Sequence, residues 1–474
     1  MIAALLLVIP LGLLAPTQET AQRPNVVLIY TDDQGYADLG VYGATGFETP
    51  HIDRLASEGV RLTNFYVSQA VCSASRASIR TGCFPNRIGM LHALMPWSEI
   101  GLHDSEETLA ELLKEQGYAT CFVGKWHLGH QEPFLPTHHG YDEWFGLPYS
   151  NDMWPVDYDG NSVGEKHWKT KYPPLPLMDS EAEVQYITDL DGQASLTRRY
   201  TDRALAFIER AAGKQPFFLE LAHSMPHVPL GASKEFKGKT EYGPYGDVIE
   251  EIDASTGEVL AALEKAGLTQ NTLVIFTSDN GPWLNFGNHG GSALPLREGK
   301  GTMWEGGCRV PCIMRLPGQI PAGSESAELV ATIDFLPTIA ELCGARLPKR
   351  EIDGVSVLAH LREPESSSPR QSYWFFYGRT LQAVREGRWK LHVPHSYRTY
   401  DRMAPGSGGH PGPTATGRVS YALFDLDEDP GEHRDVADLH PDVVEHLLEI
   451  AAEAREELGD GALRGSGERN PGRL

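Results

Sequence analysis

The chain has 474 residues, of which 41% are hydrophobic and 22% are charged. These values are typical of globular proteins and exclude a disordered or fibrous chain. The formal net charge of −23 argues against nucleic acid or an anionic membrane as the main binding partner. Because a chain of this length exceeds one ordinary hydrophobic core, we expect one large domain and one smaller domain.

The N-terminal residues form an apolar run. Residues 2–15 carry no charged side chain and are too few to cross a bilayer, which takes about 20 residues. This pattern predicts a signal peptide over residues 1–21. Because no Lys or Arg precedes the run, a short N-terminal anchor is the alternative. No other segment resembles a membrane span, so we expect a secreted or periplasmic protein without stable membrane association.

The first strand is predicted at residues 25–30, where a continuous apolar and β-branched run is typical of a strand buried on both faces. Asp32 and Asp33 follow it directly. Open α/β sheets bind their ligands at the carboxyl ends of the strands, so both carboxylates are candidate ligands. A solvated acidic turn is the alternative interpretation of this pair alone.

Three helix-then-strand units follow along the chain. Their periodicity predicts helices at 105–116, 196–212 and 246–265, and strands at 118–123, 216–221 and 272–277. We expect Asp104 or Ser105 to cap the first of these helices. The repeated order predicts an α/β fold, with a doubly wound, mostly parallel sheet flanked by helices. We assign residues 22–365 to this large domain.

The pattern changes beyond about residue 365. Short strand-like runs alternate with turns, and a last helix is predicted at 441–458. We therefore assign residues 366–474 to a smaller α+β domain. The residues from about 459 onward are polar and glycine-rich, so we expect a disordered tail.

Cys72 and Arg76 are the most informative pair in the chain. They are four residues apart, so in the first turn of a helix they share one face. A helix N-terminus presents free N–H groups and the positive end of the dipole, which suits an anion such as a sulfate or phosphate ester. The alternative is an ordinary Ser/Ala-rich helix start with one buried cysteine.

A second set of candidate residues carries oxygen ligands. Asp279 and Asn280 follow the strand predicted at 272–277, as Asp32 and Asp33 follow the first strand. Carboxylate and amide oxygens favour Ca²⁺ or Mg²⁺ over zinc. Three carboxylates packed together repel one another, so a divalent cation between them would account for the cluster.

The motifs along the chain resemble those of the formylglycine-dependent sulfatases. Residues 72–82 have the form Cys-x-(Pro/Ala)-x-Arg with a later Thr-Gly, and Ala74 stands where proline is commoner. The motifs Lys-Trp-His-Leu-Gly, Pro-His-x-Pro, Ser-Asp-Asn-Gly-Pro and Gly-Lys-Gly-Thr-x-x-Glu-Gly-Gly follow in the family's order. The likeness spans essentially the whole chain beyond the predicted signal peptide. It is to the arylsulfatase A and N-acetylgalactosamine-6-sulfatase branch of the alkaline phosphatase superfamily, which implies an alkaline-phosphatase-like fold.

The resemblance also implies a mechanism. Cys72 would be oxidised to formylglycine by a formylglycine-generating enzyme, and the aldehyde hydrate would attack the sulfur of a sulfate ester and later expel sulfate. Arg76 and Lys125 would hold the hydrate, and Asp279 would assist its deprotonation.

The remaining roles implied by the resemblance concern the leaving group and the metal. His227 and Lys300 would bind sulfate and protonate the leaving oxygen, and His127 would help the breakdown step. The expected ligands of Ca²⁺ or Mg²⁺ are Asp32, Asp33, Asp279, Asn280 and residue 72 after its conversion.

Substrate recognition is expected on a loop. The segment 149–154 combines hydrogen-bonding Ser150, Asn151 and Asp152 with Trp154, a composition suited to a sugar ring. We therefore expect a sulfated carbohydrate or another sulfated small molecule as substrate. The alternative for Trp154 is packing into the core. Two alternative functions share the fold: a phosphomonoester or phosphonate hydrolase, and an inactive homologue that binds sulfated glycans.

Overall fold

The computed structural model describes residues 23–474. The predicted signal peptide lies outside the described residues. Among the helices of residues 23–474, none has the length and apolar character needed to cross a membrane.

Residues 23–474 form twenty strands. They are β1 (Asn25–Thr31), β2 (Val60–Leu62), β3 (Phe65–Tyr66), β4 (Ile100–Gly101), β5 (Ala119–Lys125), β6 (Glu143–Leu147), β7 (Leu175–Asp179), β8 (Ala182–Ile187), β9 (Phe217–Ala222), β10 (Thr272–Ser278), β11 (Cys312–Arg315), β12 (Ser324–Ser326), β13 (Val330–Ala331), β14 (Ser372–Tyr377), β15 (Thr380–Glu386), β16 (Trp389–His392), β17 (His395–Thr399), β18 (Ala415–Val419), β19 (Ala422–Asp425) and β20 (Gly472–Arg473).

The same residues form eleven α-helices. They are α1 (Pro50–Ser57), α2 (Cys72–Thr81), α3 (Pro85–Ile88), α4 (Leu109–Glu115), α5 (Leu190–Ala194), α6 (Leu196–Ala211), α7 (Pro244–Lys265), α8 (Glu305–Cys308), α9 (Phe335–Cys343), α10 (Leu358–Arg362) and α11 (Pro441–Leu458).

A ten-stranded mixed sheet forms the large domain, in the order β12-β2-β11-β10-β1-β9-β5-β6-β7-β8. Its central strands β10, β1, β9, β5 and β6 are parallel, whereas β11 and β7 run antiparallel to their inner neighbours. The predicted α/β sheet is therefore confirmed, with antiparallel strands added at both edges. The carboxyl ends of all five central strands meet at one edge.

Both faces of the sheet are buried. Along β1, Val26, Leu28 and Tyr30 join a core that also contains residues of α2, α4 and α9. Val27 and Ile29 point to the opposite core, which contains residues of α1, α6 and α7. Because both faces are buried, the five residues between Asn25 and Thr31 form a continuous apolar run in the sequence.

The helix predicted at 105–116 begins later than expected. Thr108 caps α4, because its side chain accepts the N–H of Glu111 while Glu111 bonds back to the Thr108 N–H. This reciprocal arrangement is a capping box. The prediction of Asp104 or Ser105 as the cap is wrong, since both precede the helix by a full turn or nearly so.

The smaller C-terminal domain contains a four-stranded antiparallel sheet in the order β14-β15-β16-β19. Helix α11 lies against this sheet through Leu447 and Ala451, both of which are fully buried. β17 and β18 form a separate hairpin. Tyr400, the residue after β17, contacts Lys300 of the large domain. The predicted α+β character of this region is confirmed.

The prediction of a disordered tail from about residue 459 is wrong. β20 pairs antiparallel with β4, a strand that lies some 370 residues earlier in the chain. The guanidinium of Arg469 also bonds Glu106 at 2.7 Å between Nη2 and Oε2. Polar and glycine-rich composition did not indicate disorder here, because the charged side chains have buried partners in the large domain.

Candidate active site

The site is built where β1 and β10 end side by side. Asp32 and Asp33 follow β1, and Asp279 and Asn280 follow β10. The Asp33 N–H donates to Oδ1 of Asp279 at 3.2 Å, and Nδ2 of Asn280 donates to Oδ1 of Asp33 at 2.7 Å. All four side chains are buried. The register of two parallel strands thus places three carboxylates and one amide together.

Helix α2 contributes Cys72 and Arg76. Cys72 is the first residue of the helix, with its Sγ 3.6 Å from Oδ1 of Asp32. One turn later, the buried Arg76 donates from Nε to Oδ2 of Asp279 at 2.8 Å and from Nη1 to the Lys125 carbonyl at 2.6 Å. The predicted shared face of these two residues is therefore seen at the helix start.

Two lysines complete the positive charge. Lys125, the last residue of β5, binds the carboxylate of Asp32 and donates to Oγ of Ser150 at 3.0 Å. The ammonium of Lys300 lies 2.6 Å from Oδ1 of Asp33 and 3.3 Å from Sγ of Cys72. Each lysine therefore pairs with a different carboxylate, and Lys300 also contacts the candidate nucleophile.

Both predicted histidines lie in this cluster of residues. Nε2 of His227 is 3.6 Å from Oδ2 of Asp33, and Nε2 of His127 is 2.8 Å from the Leu94 carbonyl oxygen. Burial lowers the pKa of both imidazoles, with nearby lysines adding to the shift. Nδ1 of His127 is buried without a hydrogen-bond partner, so a proton acceptor is available there.

The three carboxylates do not share one electrostatic environment. Burial opposes ionisation of Asp32, but Lys125 and the other cations hold the pKa of Asp32 well below its usual range. Burial, followed by repulsion from Asp32, raises the pKa of Asp279 to about 7. Burial also raises the pKa of the Cys72 thiol to about 12. An unmodified Cys72 is therefore protonated and weakly nucleophilic at neutral pH.

The donor set fits a divalent cation. One ligand atom from each of Asp32, Asp33, Cys72 and His227 falls within 4.8 Å of the others. Oδ1 of Asn280 is buried without a hydrogen-bond partner, as expected for an oxygen that a cation would satisfy. Asp279 is instead bonded to Arg76 and to the Asp33 N–H, and His227 was not among the ligands expected from the sequence.

The residues expected to bind substrate divide into two groups. Ser150 contacts Lys125, and Asn151 donates to Oε1 of Gln193 at 3.1 Å, while Oδ1 of Asp152 is buried without a partner. Trp154 is 0% exposed and packs in the core. The predicted aromatic platform at Trp154 is therefore wrong, because no face of its ring is open to a ligand.

Sequence reasoning missed the contacts that hold the Lys300 loop. The carboxylate of Glu298 accepts from Oγ1 of Thr399 at 2.5 Å and from the Tyr400 N–H at 2.8 Å. The Tyr400 hydroxyl donates to the Lys300 carbonyl at 2.5 Å. We call these residues the Glu298 clasp. No local pattern marks it, because its two halves are about 100 residues apart in the chain.

Comparison with known proteins identifies the family of the chain. Residues 24–345 match the sulfatase family, residues 299–401 match the C-terminal part of N-sulphoglucosamine sulphohydrolase, and residues 368–464 match the C-terminal region of aryl-sulfatase. The family match covers well over half of the chain, including every residue of the cluster described above.

Individual relatives are similar over nearly their full length. Arylsulfatase A from Bos taurus is 37% identical, over 92% of this chain and 88% of its own. N-acetylgalactosamine-6-sulfatase from Mus musculus is 37% identical, over 96% of this chain and 90% of its own. The crystal structure of PsFucS1 sulfatase from Pseudoalteromonas sp. superposes with a TM-score of 0.82 at 29% identity, covering 91% of this chain and 90% of that one. The chain therefore belongs to the sulfatase family and is a sulfuric ester hydrolase.

Proposed function

We propose that the protein hydrolyses sulfate esters of a carbohydrate by means of a formylglycine formed from Cys72. The placement of Cys72 carries the proposal. Its Sγ lies between the Lys300 ammonium at 3.3 Å and the Asp32 carboxylate at 3.6 Å, at the first residue of α2. A protonated thiol is of little use as a nucleophile there, whereas an aldehyde hydrate at the same position would face the cations that bind a sulfate group.

The modification supplies chemistry that cysteine and serine lack. A hydrated aldehyde has two hydroxyl groups on one carbon, so one can displace the alcohol and the other can release the sulfate. A formylglycine-generating enzyme would carry out the conversion in the cell. The substitution of an aldehyde for the thiol changes the residue mass by about −18 Da.

The chain's own residues would handle charge and protons. Arg76, Lys125 and Lys300 neutralise the sulfate oxygens, since their charged groups converge on Cys72 and Asp32. His227 and Lys300 would protonate the leaving oxygen, and His127 would take a proton through Nδ1 in the breakdown step. Burial opposes ionisation of Lys300, but Asp33 holds the pKa of Lys300 well above its usual range, so Lys300 carries a proton at neutral pH. Asp279 accepts a proton from the nucleophile.

The metal is proposed to be Ca²⁺ or Mg²⁺. Asp32, Asp33, Asp279 and Asn280 would hold it, with residue 72 in its modified form. Hard oxygen donors and a buried, unpartnered amide oxygen support this assignment. The bound cation would add positive charge beside the sulfate.

A sulfated sugar is the proposed substrate class. One of the relatives is an N-acetylgalactosamine-6-sulfatase by name. Ser150, Asn151 and Asp152 lie beside Lys125 and His227 and are the proposed sugar contacts. We further propose an exported protein, with a catalytic domain over residues 22–365 and a smaller domain over residues 366–474.

The test combines mass spectrometry with an assay. The protein is produced with and without a formylglycine-generating enzyme, and the tryptic peptide containing residue 72 is weighed. We expect sulfate release from 4-nitrophenyl sulfate only from the preparation that shows the mass loss. Full activity of protein carrying only unmodified cysteine would contradict the mechanism, and inactivity of fully converted protein would favour a glycan-binding homologue.

Removal of the metal tests the second part. Asp32→Ala takes one anionic oxygen from the site, and we expect loss of both bound metal and activity. Elemental analysis gives the metal content, and the sulfate assay gives the activity. Chelation that strips the metal completely yet leaves activity intact would rule out a catalytic cation.

A further inference from the structure

Large aromatic side chains stand exposed on the loops flanking the active site. Trp97 is 48% exposed and Trp168 is 51% exposed. Together with Tyr172 and the exposed Lys171 they form a contiguous surface, which we call the aromatic patch. Clustered exposed aromatics on a soluble protein mark binding sites more often than isolated ones do.

The rings of the aromatic patch are held by one another. Trp97 and Tyr172 stack with centroids 5.4 Å apart and an angle of 18° between ring planes. Trp168 meets Tyr172 edge-on at 5.8 Å. The Lys171 ammonium lies 4.8 Å from the Trp97 centroid and 5.8 Å from that of Trp168. The patch therefore presents flat apolar surface beside a positive charge.

One side of the patch is connected to the active site through Lys169. Although it adjoins Trp168, Lys169 is only 2% exposed, and its ammonium donates to the Asp152 carbonyl at 3.3 Å. The next residue back, Asn151, directs Nδ2 at the His227 carbonyl at 3.4 Å. A path of contacts through Lys169, Asp152 and Asn151 thus links the patch to the backbone of His227.

The other side is connected through Leu94. The Leu94 N–H donates to Oγ of Ser73, next to Cys72, at 2.9 Å, and its carbonyl contacts His127 at 2.8 Å. Trp97 follows three residues later on the same loop. The two loops that carry the patch therefore each contact residues of the active-site cluster.

Asp152 adds a polar group between the patch and the catalytic residues. Oδ1 of Asp152 is buried and has no hydrogen-bond partner, although the group lies near Lys169 and His227. A buried acceptor without a partner is costly, and a sugar hydroxyl could satisfy it. An aromatic face, a cation and a free acceptor are the groups that bind an anionic sugar.

We propose that the aromatic patch is a subsite for a second sugar of a sulfated oligosaccharide, one carrying its own sulfate or carboxylate group. The sugar ring would stack on Trp168 and Trp97, and its anionic group would pair with Lys171. This inference rests on the proposed carbohydrate substrate and extends it from one sugar to at least two. An anionic membrane is the less favoured occupant, since the chain carries a formal net charge of −23.

The test uses binding by the full chain with Cys72 left unconverted, so that no turnover occurs. Isothermal titration measures affinity for sulfated tetrasaccharides prepared from chondroitin sulfate, heparan sulfate and carrageenan. For whichever binds the wild type, we expect Trp97→Ala and Trp168→Ala each to weaken affinity about ten-fold. Lys171→Met should weaken affinity and its salt dependence, and Lys171→Arg should restore both.

Tyr421→Ala is the matched control, because Tyr421 is 50% exposed and lies in the smaller domain. It should leave affinity within about two-fold of wild type. The inference is overturned if the wild type binds none of the tetrasaccharides, or if the two tryptophan variants bind as tightly as the control. It is also overturned if those variants lose binding to phosphatidylserine vesicles while keeping the sugar.

Kinetic measurements on protein in which Cys72 has been converted to formylglycine separate this inference from the proposed function. The two tryptophan variants should hydrolyse 4-nitrophenyl sulfate at the wild-type rate, while KM for the tetrasaccharide rises about ten-fold at unchanged kcat. A wild type that releases sulfate from neither substrate refutes the proposed function alone. Equal losses on both substrates would assign the tryptophans to the scaffold and refute the subsite.

Discussion

Two buried charged clusters in this protein differ in how their carboxylates are balanced by cations. The first is the active site around Asp32 and Asp279. The second, which we call the Lys390 cluster, consists of Glu305, Lys390, His392 and Glu432. In the Lys390 cluster the ammonium has three acceptors: the Met303 carbonyl at 2.8 Å, Glu305 at 2.8 Å and Glu432 at 3.0 Å.

In the active site the carboxylates repel one another, whereas in the Lys390 cluster two carboxylates share one cation. Burial, followed by repulsion from Asp32, raises the pKa of Asp279 to about 7, and Oδ1 of Asn280 lacks a partner. Each cluster also holds one imidazole nitrogen without a partner, Nδ1 of His127 in the active site and Nδ1 of His392 in the Lys390 cluster. Asp33 and His127 have positive φ angles of 68° and 63°, and Glu432 of the Lys390 cluster has one of 51°. Such backbone conformations cost energy in residues with side chains. The two clusters therefore share backbone strain and an unpartnered imidazole nitrogen, and they differ in the carboxylate repulsion and the free amide oxygen of the active site, both of which a bound cation would relieve.

Cys72→Ala should separate activity from stability in the active site. Cys72→Ala removes the thiol that we propose is converted to formylglycine, so we expect activity to fall by more than ~10³-fold. The free energy of unfolding should stay within about 1 kcal/mol of wild type, because no ion pair is lost. Sulfate release and urea titration measure the two quantities. A large loss of stability would mean that Cys72 also holds the fold.

Lys390→Met should mainly lower the free energy of unfolding. Removing the shared cation leaves two buried carboxylates facing each other, and we expect a loss of about 3–5 kcal/mol in unfolding free energy. Urea titration measures the loss. In Lys390→Met/Glu432→Gln the uncompensated charge is smaller, so part of the stability should return, as a double-mutant cycle can quantify. Additive effects would show that the two side chains act independently.

The stability of the Lys390 cluster should also depend on pH, through His392. Burial, followed by Lys390, holds the pKa of His392 well below its usual range, so His392 is neutral in the folded protein. The unfolded chain binds a proton below about pH 6.5, and the stability contributed by neutral His392 is lost as pH falls from there. Between pH 7 and pH 5 this amounts to about 2 kcal/mol.

His392→Gln should remove that part of the acid sensitivity. Urea midpoints at pH 7 and pH 5 are compared for the variant and the wild type. The variant is expected to be less stable at pH 7 but to lose less on acidification. The same slope in both proteins would mean that His392 is already protonated in the fold.

Ser150→Ala is expected to have the smallest effect. Lys125 loses one hydrogen bond of 3.0 Å but keeps its ion pair with Asp32, so kcat/KM should fall about ten-fold. Ser324→Ala is the matched control, since its hydroxyl bonds only the Pro321 carbonyl at the surface. An unchanged rate for Ser150→Ala would mean that Asp32 alone orients the lysine.

Much of the fold follows from local sequence patterns. The apolar runs at β1, β9 and β10 predict buried strands, and the polar residues after them predict the active edge of the sheet. The Thr108 cap could also have been predicted, because Thr-x-x-Glu at 108–111 is a capping-box pattern. The choice of Asp104 or Ser105 gave weight to single residues and overlooked the pair.

The errors share a physical cause, which is contact between distant parts of the chain. The composition of the segment 149–154 suits a sugar-binding loop. Whether the ring of Trp154 faces a ligand or the core depends on its packing against other elements. From the sequence, Arg469 belongs to a polar tail. In the structure it bonds Glu106, which lies 363 residues earlier in the chain. The packing of Trp154 and the partner of Arg469 therefore cannot be predicted from neighbouring residues in the sequence.

The Glu298 clasp has a consequence for thermal inactivation. It secures the Lys300 loop with residues at the end of β17, so the position of Lys300, the proposed sulfate-binding lysine, depends on the hairpin that lies between β16 and β19 in the chain. Heating that loosens this hairpin would displace Lys300 while the ten-stranded sheet is still folded. We therefore expect enzymatic activity to disappear at a lower temperature than the circular dichroism signal of the large domain.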